Sequence, residues 1–254
     1  MAVTAIVLAG SRPGRDPLAA AHGTDLKALI PVAGVPMVRR PVDTLLASPE
    51  IGKVRVLAQQ PERIRKALPR AKRVSVEASG TTIAATLEAF CFDEKTEWPL
   101  LVTTADHALL DPDMIEDFLS MAKGSDIAVG VVEKRALMHR LPQSERTWIK
   151  FRGGAYSGAN LFLLGNVKAV SAIEIWRSVE QDRKKGWKLV WMLGPLAFLG
   201  ALLRLRTIDQ TMASIGRKLG LRIKPVEMAD PLAAVDVDKQ SDHLLVEAIL
   251  EGRE

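Results

Sequence analysis

Short apolar runs alternate along the first half of the chain with segments whose apolar residues recur at helical spacing. Residues 3–9, Val-Thr-Ala-Ile-Val-Leu-Ala, form one such run and stop at Gly10. A continuous apolar run of that length predicts a parallel strand covered on both faces. Further strands are predicted at 53–58, 73–77, 99–103 and 126–132, with helices at 36–47, 61–68, 80–92 and 112–122. Asp111-Pro112 opens the last of these helices, with Asp at the cap and Pro at the first helical position. Strands alternating with helices predict an α/β fold. Parallel sheets bind ligands beyond the carboxyl ends of their strands, so the chemistry is expected just after residues 9, 58, 77 and 103.

From about 165 to 220 the pattern becomes helix-rich and bears tryptophan. Residues 189–203 carry no charge and are flanked by Arg183, Lys184, Lys185 and Lys188 before and by Arg204 and Arg206 after. The run falls short of the ~20 residues that span a bilayer, and Gly194-Pro195 interrupts it. A buried helical hairpin and an interfacial segment, dipping into a membrane or gripping a lipid-like acceptor, both suit it. The expected organisation is one domain over 1–254, with a helix-rich insertion over 165–220.

Composition narrows the partners only a little. At 254 residues with 48% hydrophobic and 26% charged residues, the chain can bury a substantial core. A net charge of +5 suits an anionic small substrate or a membrane surface as well as nucleic acid. Aromatic residues make up only 5%, and the N-terminal half offers no aromatic-plus-basic stripe, which argues against a single-strand nucleic-acid binder. The single cysteine, Cys91, sits in the apolar run Ala89-Phe90-Cys91-Phe92, where a buried structural thiol is the ordinary reading. With no basic segment before the first apolar run, a cytoplasmic location is expected. A peripheral membrane contact through 187–206 and a homodimer stay open.

Candidate chemistry clusters where the sheet predicts it. After the first strand comes Leu8-Ala9-Gly10-Ser11-Arg12-Pro13-Gly14-Arg15. Glycine lets backbone N–H groups approach phosphate oxygens, and Arg12 and Arg15 add fixed positive charge where a triphosphate would lie. Asp106, in Thr103-Thr104-Ala105-Asp106-His107, follows the fourth strand, where a carboxylate is well placed to hold magnesium. The acids of Ala234-Val235-Asp236-Val237-Asp238 alternate, as on one face of a strand. Ala78-Ser79-Gly80-Thr81 opens the helix after the third strand, where a plain Ser/Thr cap is an equal reading. Arg135, Arg140, Arg146 and Lys150 form a basic cluster that suits either a solvated face or an acceptor phosphate.

Lys27 follows in Lys27-Ala28-Leu29-Ile30-Pro31-Val32-Ala33-Gly34-Val35-Pro36-Met37. Together with the L-A-G loop and its arginines, this resembles the N-terminus of the MobA-like and sugar-phosphate nucleotidyltransferase superfamily. Ser11 and Pro13 stand where that family commonly has glycine. The resemblance implies a Rossmann-like three-layer sandwich, GT-A-like, with a mostly parallel mixed sheet. It implies that Leu8, Ala9, Gly10, Ser11, Arg12, Gly14 and Ala105 bind the nucleotide, while Ala78, Ser79, Gly80 and Thr81 read the base. Arg15 and Lys27 would stabilise the α-phosphate and the leaving pyrophosphate. The segment ending in Asp238-Lys239-Gln240-Ser241-Asp242 resembles the family's D-x-D-T-P-E-D-L signature. It implies that Asp106 and Asp238 hold Mg²⁺, with Asp236 able to replace Asp238. His107, Arg152, Gly158 and Asn160 would meet the acceptor.

The expected reaction moves NMP from an NTP, with CTP favoured and GTP next, onto a phosphorylated alcohol, polyol or sugar and releases pyrophosphate. A guanylyltransferase acting on a cofactor precursor, a glycosyltransferase of the same fold and a non-catalytic membrane-surface nucleotide binder remain alternatives.

Overall fold

The computed structural model describes residues 2–10, 14, 16–80, 82–93, 96–181 and 205–253. Four of the sequence candidates, Ser11, Arg12, Arg15 and Thr81, lie outside these residues, as does the apolar segment 189–203.

Strands β1 (Val3–Leu8), β4 (Ile51–Ala58), β5 (Val74–Ala78), β6 (Leu100–Thr104) and β7 (Ile127–Glu133) lie within two residues of the predicted ones. They join β9 (Gly154–Leu164) and β10 (Ile223–Glu227) in the order β10-β7-β9-β6-β1-β4-β5, and β8 (Ile149–Phe151) pairs with β9. Most neighbouring pairs are parallel, whereas β9 runs antiparallel to β6, β7 and β8. Because the side chains of a strand alternate, β1 feeds two cores. Val3, Ala5 and Val7 pack on one face of the sheet and Ile6 on the other. That is why a parallel strand reads as an unbroken apolar run.

Helices cover both faces. On the first lie α2 (Arg39–Ala47), α3 (Pro61–Ala67) and α5 (Pro112–Ala122), anchored through Leu45, Ile64 and Phe118. On the second, α4 (Ile83–Cys91) and α7 (Val170–Gln181) pack through Leu87, Phe90 and Ile173. The caps follow the sequence. Asp111 accepts from the Met114 amide at 2.8 Å, and Thr82 accepts from Ala85 at 3.2 Å, which starts α4 at Ile83 instead of residue 80. Among the described residues the remaining α-helices are α1 (Pro17–Ala21), α6 (Lys134–Arg140), α8 (Ile208–Leu219) and α9 (Gln240–Leu250). Among the described residues, no helix is long and apolar enough to cross a membrane.

Two local features position functional side chains. The short strands β2 (Pro31–Val32) and β3 (Val35–Pro36) are joined by Ala33 (φ 46°) and Gly34 (φ 75°). Two successive left-handed residues make the tight hairpin turn that matches strand twist. The second feature is in β9. Its pairing with β7 passes from Phe162 opposite Val129 to Gly158 opposite Val131, which leaves extra β9 residues as a bulge. Within the bulge, Asn160 adopts φ 49°, a left-handed conformation that Asn tolerates better than most residues.

Candidate active site

Strand register brings the predicted loops to one edge. Leu8 lies opposite both Leu57 and Thr104, and Ala58 lies opposite Ala78. The ladders continue one step further, with Ala9 donating to Leu57 at 2.9 Å, Ala105 to Leu8 at 3.0 Å and Ser79 to Ala58 at 2.9 Å. Gly10, Ser79, Gly80, Ala105 and Asp106 therefore line the carboxyl edge of the sheet together. A Cβ on Gly10 would come within 3.4 Å of the Gln59 amide. Gly14 (φ 107°) has a backbone conformation that suits glycine and few other residues.

Lys27 begins a short 3-10 turn (Lys27–Leu29) directly before β2. The hairpin holds this turn through Met37 N–H to Ile30 at 2.8 Å and Val38 N–H to Ala28 at 2.9 Å. Helix α9 clamps the hairpin from outside. The His243 Nε2 donates to the Pro31 carbonyl at 2.7 Å, and Glu247 accepts from the Ala33 amide at 2.7 Å. The proline-, valine- and glycine-bearing stretch after Lys27 thus has a structural purpose, since it fixes the lysine in place.

The Lys27 ammonium donates to Asp106 Oδ2 at 2.6 Å and to Asp238 Oδ1 at 2.5 Å. Burial opposes the charge on Lys27. The attraction and hydrogen bonds of Asp106, followed by those of Asp238, outweigh it and raise its pKa above the usual lysine value. Asp238 arrives beside Asp106 because the Val237 amide donates to the Asp106 carbonyl at 3.1 Å. Asp242, at the third position of α9, accepts from the Asp238 and Lys239 amides at 3.1 Å each, as expected of a residue in the cap region.

Residues 235–238 follow a 3-10 turn (Pro231–Ala234) and belong to no strand, and the two acids take different partners. Asp236 is bound by the Arg146 guanidinium, which also reaches its carbonyl at 3.1 Å, and by Asn160 Nδ2 at 2.9 Å. Burial is the main cause that raises the Asp236 pKa. Arg146 opposes the rise, while the nearby Asp106 and Asp238 charges add to it. Asp238 shares the lysine with Asp106, and Asp236 does not.

The acceptor-side expectations divide. Asn160 faces the acidic cluster through Asp236. Gly158 is exposed, with open space where a Cβ would stand, and Arg152 is exposed in the β8–β9 turn. His107 is corrected. It has no exposed surface, and its Nδ1 lies 3.2 Å from the buried Thr103 hydroxyl, so it presents no atom to an acceptor. Burial pushes its pKa down to about 4, against the pull of Asp106, so the ring is neutral near pH 7. Of the basic cluster, Arg146 turns inward to Asp236, while the Arg135 guanidinium meets the Gly153 carbonyl at 3.2 Å. Sequence reading missed the tie between Arg146, Asp236 and Asn160.

A mixed, mostly parallel sheet with helices on both faces, and a lysine between two carboxylates at its carboxyl edge, define an α/β Rossmann-like nucleotidyltransferase fold. The profile of the MobA-like NTP transferase domain matches residues 5–221, and the chain belongs to that family. It is therefore a nucleotidyltransferase. A solved structure described as a hypothetical transferase from Thermus thermophilus shares 28% identity and a TM-score of 0.79, covering 96% of this chain and 100% of the other. The 4-diphosphocytidyl-2C-methyl-D-erythritol synthase of Anaerococcus prevotii DSM 20548 superposes with TM-score 0.59 at 10% identity, covering 98% of each chain. A CMP:2-keto-3-deoxy-manno-octonic acid synthetase complexed with CTP gives TM-score 0.63 at 14% identity over 100% of each. The last two likenesses are of fold. No curated protein matches the chain closely enough to count as a relative.

Proposed function

We propose that the chain transfers a nucleoside monophosphate from an NTP, CTP by preference, to a phosphorylated alcohol, polyol or sugar and releases pyrophosphate. The observation that carries this reading is the Lys27 ammonium between Asp106 and Asp238, at the sheet edge that also carries the glycine loop. CTP is favoured because cytidylyl-group synthetases recur among the structures of like fold. The apolar, basic-flanked stretch of sequence favours an acceptor on a lipid-precursor route.

Magnesium fits the donor set. Two carboxylate oxygens converge on one cation, and Asp106 Oδ1 is buried without a hydrogen-bond partner among the described residues. No cluster of three or more His, Cys, Asp or Glu suited to a metal occurs among the described residues. Magnesium takes one or two carboxylates and fills its remaining positions with substrate phosphates and water. When bound, the ion supplies positive charge to the α-phosphate and the departing pyrophosphate. Asp106 and Asp238 would hold it.

The chain's own work is positioning and charge. Lys27 meets the triphosphate with a point charge on a flexible stem, and Arg15 adds a second cation. Asp236, fixed by Arg146, holds the Asn160 amide on the acceptor side. The acceptor phosphate is already ionised near neutral pH, so no general base is needed, and buried His107 supplies none.

The test is a screen of four NTPs against pooled polyol and sugar phosphates, following pyrophosphate. Turnover is expected with CTP, and Lys27→Ala and Asp106→Ala should lower it by orders of magnitude without unfolding the chain. Absence of pyrophosphate with every pair, or near-normal rates in both variants, overturns the reading.

A further inference from the structure

Lys27 stands where the proposed reaction needs a different cation. Its Nζ is 2.6 Å from Asp106 Oδ2 and 2.5 Å from Asp238 Oδ1, so these two oxygens are already gathered around a single positive charge. If a divalent ion joined them while the ammonium stayed, three positive charges would face two negative ones within one small, partly buried space. The ammonium and a divalent ion repel one another and so compete for the same two carboxylates.

The geometry points to Lys27 as a self-supplied plug. It competes with divalent cations for the Asp106–Asp238 pair, and an incoming triphosphate opens the pair by drawing the ammonium onto its phosphate oxygens. This inference rests on the proposed transferase reading and adds a regulation to that site.

Three features support it. Asp238 is well exposed, with 64% of its side-chain surface accessible, so the lysine has an open side to leave by. The Lys27 backbone, held by the β2–β3 hairpin, stays fixed while four methylenes carry the ammonium across. Asp106 Oδ1 is buried and unbonded among the described residues, so the carboxylate keeps coordinating capacity that the lysine does not use. The device is an ion exchange. Lys27 trades two carboxylates for phosphate oxygens, and the carboxylates trade a monovalent for a divalent partner, which spares the nucleotide-free site from holding stray metal.

Mn²⁺ binding to the full chain without nucleotide, followed by electron paramagnetic resonance, tests the plug. The wild type should bind weakly, Lys27→Met should bind about tenfold tighter or more, and Lys27→Met/Asp106→Asn should lose the gain. If Lys27→Met does not fold, a second measurement uses the wild type alone. Saturating Mg²⁺ should raise acetylation of Lys27 by acetic anhydride, read by mass spectrometry, because the freed amine becomes reactive. Unchanged or weaker Mn²⁺ affinity in a folded Lys27→Met, or Lys27 acetylation indifferent to Mg²⁺, overturns the proposal. Nucleotide binding measured in parallel separates the two claims. CTP binding to the wild type with no metal effect at Lys27 sinks the plug alone, and no binding of any NTP sinks the transferase reading.

Discussion

Consider replacing Arg146 with methionine. The guanidinium is 11% exposed and its partner Asp236 19%, so the pair is largely withdrawn from water. Arg146→Met keeps most of the side-chain volume and removes the charge. It leaves Asp236 with the Asn160 amide at 2.9 Å, facing the charges of Asp106 and Asp238. Breaking a buried pair from one side costs roughly 3–5 kcal/mol, and the residual exposure favours the lower end, about 3 kcal/mol. For a chain of this size that corresponds to a fall in Tm of about 6–12 °C. Urea denaturation of wild type, Arg146→Met, Asp236→Asn and the double variant provides the assay. The double variant no longer strands a charge, so it should be more stable than the sum of the single losses implies, by about 2 kcal/mol. An Arg146→Met variant within about 1 kcal/mol of wild type, or strict additivity in the cycle, would refute the reasoning.

Two further outcomes are expected. Asp126 accepts from Asn166 at 2.8 Å, from the Arg222 amide at 2.8 Å and from the Arg222 guanidinium at 3.3 Å, and these bonds hold its pKa far below the ordinary 3.8. A depressed carboxylate stabilises above its unfolded pKa and loses that contribution as pH falls towards the folded one. Asp126→Asn, which points an amide donor at another donor, should cost about 2–4 kcal/mol. That gap should stay constant from about pH 5 to 8 and narrow below about 4, as urea midpoints will show; a gap that widens in acid contradicts it. Burial pushes the Cys91 thiol up to about 12. At pH 8 the folded chain should therefore react with a thiol-disulfide reagent only after denaturant is added, and prompt stoichiometric labelling would count against the buried assignment.

The parallel strands were legible because coverage on both faces demands apolar runs, which β1, β6 and β7 have, while β4 interleaves Lys53 and Arg55 with its valines. The antiparallel β9 was half legible. Its Leu161–Leu164 end is apolar, but Gly154–Asn160 is built of small and polar residues that read as a loop. The edge strand β10 was missed because Pro225 interrupts it, which a strand tolerates at an edge. Lys27, Asp106 and Asp238 do meet; Asp106 follows a strand whose end could be located in sequence, whereas Lys27 and Asp238 were singled out by the family resemblance. The partner of Asp236 could not be read. Arg146 lies 90 residues away, in a segment without periodic pattern, and only the folded chain brings the two together.

Gly130 in β7 is not itself a candidate site residue, yet it packs against the bulge in β9. A Cβ there would press within 3.2 Å of Leu161 and 3.3 Å of Ala159, the two neighbours of Asn160. The left-handed turn that aims Asn160 at Asp236 thus borrows its room from the adjacent strand. The wall proposed to meet the acceptor is consequently written in two places, and a relative could lose its geometry through Gly130 while keeping every residue proposed to face the ligand.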